Sequence, residues 1–104
     1  MMGFKDIGPD EFKEGLEKNP NAELIDVRTP DEYEDAHLKG ARLMNIMSPD
    51  FTEMVEQLPK DKAYYIYCRS GSRSASACQY MAGRGFGELY NLQGGIMFWP
   101  YETE

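Results

Sequence analysis

Residues 64–74 read Tyr64-Tyr65-Ile66-Tyr67-Cys68-Arg69-Ser70-Gly71-Ser72-Arg73-Ser74. Four apolar or aromatic residues run straight into a cysteine. Behind it come two arginines, three serines and a glycine, with no acid among them. A short apolar run of this kind predicts a buried strand. The polar turn leads into a predicted helix over Ser72–Ala82, with Ala75, Cys78 and Ala82 on one stripe. A strand joined to a helix by a tight turn is the unit of a parallel sheet. In such sheets ligands bind beyond the carboxyl ends of the strands, and Cys68 stands at that end.

The same alternation continues on either side. Gly8-Pro9-Asp10-Glu11 opens a helix, with Pro at the first helical position and acids in the first turn; it runs to about Lys18, where Asn19-Pro20 breaks it. Leu24–Val27 is a short buried strand. Thr29-Pro30-Asp31-Glu32 has the spacing of a capping box, so a short helix reaches Asp35. Ala41–Asn45 is a second short strand. Ser48-Pro49-Asp50 opens a helix with Phe51, Met54, Val55 and Leu58 on one face. Gly83, Gly85 and Gly87 end the helix that follows Cys68. Leu89–Asn91 is a last strand, and Gly94-Gly95 begins a closing segment rich in Met, Phe and Trp. The expected fold is α/β: one small three-layer domain, with a central mostly parallel sheet and helices on both faces.

Composition sets the outer bounds. With 104 residues the chain is one domain, residues 1–104, its core spanning about residues 4–99. The net charge of -7 argues against nucleic acid, whose phosphates need a basic face. No apolar run approaches the ~20 residues that span a bilayer, so no membrane partner is expected. The amino terminus has neither the basic nor the apolar region of a signal peptide, which points to the cytoplasm. Two cysteines make no disulfide framework, and with one histidine they make no zinc site. Neither metal nor cofactor is expected.

The loop itself states a chemistry. The first amides of a helix have no internal partners, and its dipole places partial positive charge there. A thiolate at that mouth is stabilised, so the Cys68 pKa should fall below its free value. Ser70, Gly71 and Ser72 are small enough for the backbone to curl its N–H groups inward as an anion nest, with Arg69 and Arg73 adding full charges. The thiolate is itself the nucleophile and needs no separate base. Four residues separate Cys68 from Arg73. Tyrosine-phosphatase loops, which enclose a whole phosphate, have five; the tighter ring suits a single extra sulfur atom.

This loop resembles the active loop of the rhodanese-like sulfurtransferases, and two further stretches strengthen the resemblance. Asp26-Val27-Arg28, followed by Glu32-Tyr33 and then Ala36-His37-Leu38-Lys39-Gly40-Ala41, is similar to the first rhodanese signature. Asn91-Leu92-Gln93-Gly94-Gly95-Ile96 with Trp99 is similar to the closing one. The resemblance runs from about Phe4 to Trp99. It implies that Cys68 takes a sulfur from a small anionic donor such as thiosulfate and holds it as a persulfide. A thiophilic acceptor then removes it: cyanide, a thiol or a sulfur-carrier protein. The amides of Arg69, Ser70, Gly71, Ser72 and Arg73 would cradle the persulfide, and the two arginine side chains would attract the donor. Asp26 and Arg28 are expected nearby, Arg28 either at the site or paired with Glu32, and Trp99 at the pocket mouth. Ala36 stands where the family usually has Gly, a difficulty only if that position needs a positive φ.

Rival readings stay open. One is a phosphatase or arsenate reductase on a related scaffold, against which the loop count argues. The other is a non-catalytic protein-interaction module, against which an intact Cys68 argues. His37 reads as structural. Cys78 reads as core filler, too far along its helix for a disulfide with Cys68. The cluster Met97, Phe98, Trp99, Pro100 and Tyr101 divides between core packing and a docking surface.

Overall fold

The computed structural model describes residues 3–104. Five strands form one all-parallel sheet in the order β1-β5-β4-β2-β3: β1 is Lys5–Ile7, β2 Glu23–Asp26, β3 Arg42–Leu43, β4 Ala63–Tyr67 and β5 Glu88–Leu92. The helices are α1 (Pro9–Lys18), α2 (Pro30–Asp35), α3 (Phe51–Glu56) and α4 (Ser72–Ala82), and a 3-10 turn follows at Ile96–Phe98.

Strand β4 is central, and all five of its residues are buried. That is why it reads as an unbroken apolar run: a strand covered on both faces has no polar side to show. Its side chains alternate between two cores. Tyr64 and Ile66, with Cys68 just beyond, join Phe51 and Val55 of α3 and Cys78 and Met81 of α4. Ala63, Tyr65 and Tyr67 join Phe12 of α1, Leu38 and Leu92, against which Tyr33 and Trp99 pack. The expected layers of helices on both faces are present.

Helix starts follow their local chemistry. Pro9 opens α1 with Asp10 and Glu11 in its first turn. At α2 the capping box is complete: the Thr29 hydroxyl accepts from the Glu32 amide, and the Glu32 carboxylate accepts from the Thr29 amide. Three readings need correction. β1 was not foreseen, since three residues carry no periodicity and their order comes from pairing with β5. α3 begins at Phe51, because Ser48-Pro49-Asp50 closes instead as a turn in which the Asp50 amide donates to the Ser48 hydroxyl. The buried stripe of α4 is Ser74, Ala77, Cys78 and Met81; Ala75 and Ala82 lie at its margins.

Candidate active site

Cys68 follows β4 directly, and the chain then turns through Ser70 and Gly71 into α4. Gly71 caps that helix at φ +105, a conformation that a side chain would strain. The turn brings the Gly71 amide 3.1 Å from the Cys68 Sγ. One turn into the helix, the buried Ser74 hydroxyl donates to the same sulfur at 3.3 Å. Cys68 is fully buried. Burial alone would push its thiol up, but the Ser74 hydroxyl and the amides of Ser74, Gly71 and Ser70 outweigh it and hold the pKa below the usual value. Ser74 was missed by sequence reasoning, although its place on the inner stripe of a helix starting at Ser72 would have found it.

A second segment locks the loop. The Ile96 amide donates to the Cys68 carbonyl at 3.0 Å, and the Met97 amide to the Arg69 carbonyl at 3.1 Å. Gly95 makes this approach possible: a Cβ there would sit 2.2 Å from the Arg69 carbonyl oxygen. Its φ of +65 also favours glycine. The Asn91 amide group joins the same junction, donating to the Gly71 carbonyl at 3.1 Å and to Asp6 at 2.8 Å.

The arginines divide unexpectedly. Arg73 makes a two-pronged ion pair with Glu32, at 2.8 and 2.9 Å. Its side chain is therefore a strut between α4 and α2 and is not free to attract a donor. The pairing holds the Glu32 carboxyl down at about 2. Arg28 pairs with Asp26, not with Glu32: its guanidinium reaches both carboxylate oxygens, and its own amide donates to Asp26 at 2.9 Å. The Tyr67 hydroxyl donates to Asp26 at 2.7 Å and accepts from the Leu38 amide at 3.0 Å. Burial first, then this bond to Asp26, pushes the Tyr67 hydroxyl well up. Asp26 and Tyr67 lie on the sheet face opposite the Cys68 sulfur, so they brace the site from below. Arg69 and Ser70 are exposed, and Ser72 is the first, exposed residue of α4.

Beside the loop lies an open cleft of about 360 Å³, bordered by Arg28, Glu32, Arg69 and Met97 among others. Trp99 does not border it, contrary to expectation. It packs edge-on against Phe12 and Tyr101 on the far face of the sheet, where it lines a separate cavity with Leu16 and Leu38. Ala36 is extended, at φ -167, so no glycine is needed there. Its carbonyl accepts from Arg28 at 2.6 Å. His37 is structural: its ring stacks on Tyr33, and its backbone pairs with Glu104. Cys78 is a free thiol in the core, pushed up to about 12 by burial first.

The match to known proteins agrees with this geometry. A family model described as the rhodanese-like domain matches residues 8–101. A rhodanese-like domain protein from Staphylococcus aureus superposes with a TM-score of 0.83 at 30% identity, over 96% of each chain. The chain belongs to the rhodanese-like family. Within it, several of this chain's relatives are sulfurtransferases by name. Bacillus subtilis YtwF, provisionally named a sulfurtransferase, is 38% identical over 99% of this chain and 97% of its own. The Pseudomonas putida thiosulfate sulfurtransferase GlpE is 32% identical over 99% and 94%.

Proposed function

We propose that this protein transfers a sulfane sulfur from a small anionic donor, thiosulfate or a similar compound, to a thiophilic acceptor through a persulfide on Cys68. The observation that carries the reading is the buried Cys68 sulfur, held by the Gly71 amide and Ser74 hydroxyl and depressed in pKa despite its burial. The Cys68 thiolate attacks the outer sulfur of the donor. The donor's S–S bond breaks, and sulfite leaves with the bonding pair when the donor is thiosulfate. An acceptor such as cyanide, a thiol or a carrier protein's thiol then attacks the outer persulfide sulfur and restores the thiolate. The site belongs in the cytoplasm, where thiols remain reduced.

The depth of Cys68 favours this chemistry over phosphate transfer. A terminal sulfur is one slim atom, whereas a phosphoryl centre brings three oxygens that the tight loop would have to enclose. The test is intact-protein mass spectrometry after thiosulfate, and again after cyanide. The expected result is a gain of one sulfur, removed by cyanide, absent in Cys68→Ala and present in Cys78→Ala. Failure to load sulfur from any sulfane donor, or turnover of an aryl phosphate ester in its place, would overturn the reading.

A further inference from the structure

Asn91 is a polar residue in an apolar setting. In the sheet it lies between Asp6 of β1 and Ile66 of β4. Its neighbours Tyr90 and Leu92 face the Phe12 side, so alternation turns Asn91 toward the side of Leu89, Ile66 and Cys68. It is only 3% exposed. Its Nδ2 donates to the Gly71 carbonyl and to Asp6, while its Oδ1 is buried with no hydrogen-bond partner among the described residues. A buried amide left half satisfied adds little stability, and an apolar side chain of the same shape would serve the sheet as well. What the amide adds is direction.

Gly71 needs that direction. Its N–H points at the Cys68 sulfur from a backbone at φ +105. Glycine turns about φ as readily one way as the other, so nothing in the residue itself fixes the aim. The Ala75 amide ties the Gly71 carbonyl to α4 at 3.1 Å, and Asn91 ties it to the sheet. Asp6, exposed on the edge strand, accepts from the same Nδ2 and sets the plane of the amide. Resting on the sulfurtransferase reading, we infer that Asn91, oriented by Asp6, is a positioning residue that keeps the Gly71 N–H on the Cys68 sulfur. The other charged or titratable groups about this sulfur are Arg69 of the loop and Arg73 and Cys78 of α4. Substitution at Asn91 leaves all three in place.

The test is the pH dependence of iodoacetamide alkylation at Cys68, read by mass spectrometry, beside sulfur loading from thiosulfate. Asn91→Leu keeps the volume and removes the amide. Gly71 still has the Ala75 amide and Asp6 has water, so the urea unfolding midpoint should hold. The alkylation midpoint should rise by about one pH unit and loading near pH 7 should fall about tenfold, as expected for one hydrogen bond to a charged group. The deficit should close at high pH. Asn91→Ser, too short to reach Gly71, should behave alike. Asp6→Ala should raise the midpoint less, slowing loading about threefold, and should add nothing in the Asn91→Leu background. A bare charge at Asp6 would act the other way, its removal lowering the midpoint. An unmoved midpoint in both Asn91 variants, a loading deficit equal at every pH, or a lowered midpoint in Asp6→Ala overturns the inference and leaves sulfur transfer intact. Failure of wild-type Cys68 to load from any sulfane donor overturns the sulfurtransferase reading itself, while alkylation still tests Asn91 on its own.

Discussion

Two cysteines share one core, both fully buried and both free, yet their acidities move in opposite directions. Cys78 sits two turns along α4 among apolar side chains, and burial raises it to about 12. Cys68 sits where β4 ends, and its pKa is lowered. Solvent exclusion is thus common to both and separates nothing. What separates them is the set of N–H and O–H groups aimed at one sulfur: the Gly71 amide, the Ser74 hydroxyl and the neighbouring loop amides. Reactivity here is built from hydrogen bonds inside a desolvated site, where each is stronger than in water.

The largest way to break this contrast is Gly95→Ala. A Cβ at 2.2 Å from the Arg69 carbonyl must push the loop aside, and the amides then lose the sulfur. Sulfur loading should fall by about a hundredfold, the order expected when reacting groups are misplaced by about 1 Å. Iodoacetamide mapping at neutral pH should show Cys68 becoming nearly as inert as Cys78.

Ser74→Ala removes one donor and keeps the fold. Without the hydroxyl the Cys68 pKa rises, and loading near pH 7 should slow on the order of tenfold, the worth of one hydrogen bond to a charged group. The deficit should shrink as pH rises and the thiolate forms regardless. A pH–rate profile checks this; a deficit equal at every pH would assign Ser74 to packing alone.

Glu32→Gln is the mildest change. It weakens both the Arg73 strut and the α2 capping box, for a stability loss of about 1 kcal/mol. The pH signature has a definite sign. The folded Glu32 carboxyl, at about 2, lies below its ordinary 4.5, so its stabilising effect is complete above about pH 4.5 and fades as pH falls toward 2. Denaturant melts across that window should show wild-type stability falling more steeply than that of the variant.

Legibility in sequence followed locality. The strand–Cys68–helix unit, the Thr29–Glu32 capping box and the Pro9 helix start are each written within a few neighbouring residues, and each is present. Cys68 could be singled out for the same reason: its partners at Gly71 and Ser74 lie within one loop and one helical turn. The misreadings of Arg28, Arg73 and Trp99 concern partners chosen in space. Arg28 and Glu32 are four apart and oppositely charged, so their pairing was the natural guess. The sheet instead turns Asp26 to the same side as Arg28, while Glu32 faces Arg73, 41 positions away. Trp99 follows a 3-10 turn that carries its ring to the far face, a rotation that residue types near it do not encode.

The clamp formed by Ile96 and Met97 has a consequence for how the thiol comes into being. The backbone that shapes the loop around Cys68 is held by amides 28 positions further on, past a helix and a strand. In the unfolded chain Cys68 and Cys78 are therefore two ordinary thiols, equally slow to react. The donors to Cys68 are local, but the loop that aims them is braced by this distant segment, so the acidity of Cys68 depends on a contact its neighbours in sequence do not supply. A substitution far along the chain, at the Ile96–Met97 clamp, therefore reaches the thiol through backbone hydrogen bonds alone, without touching the sulfur.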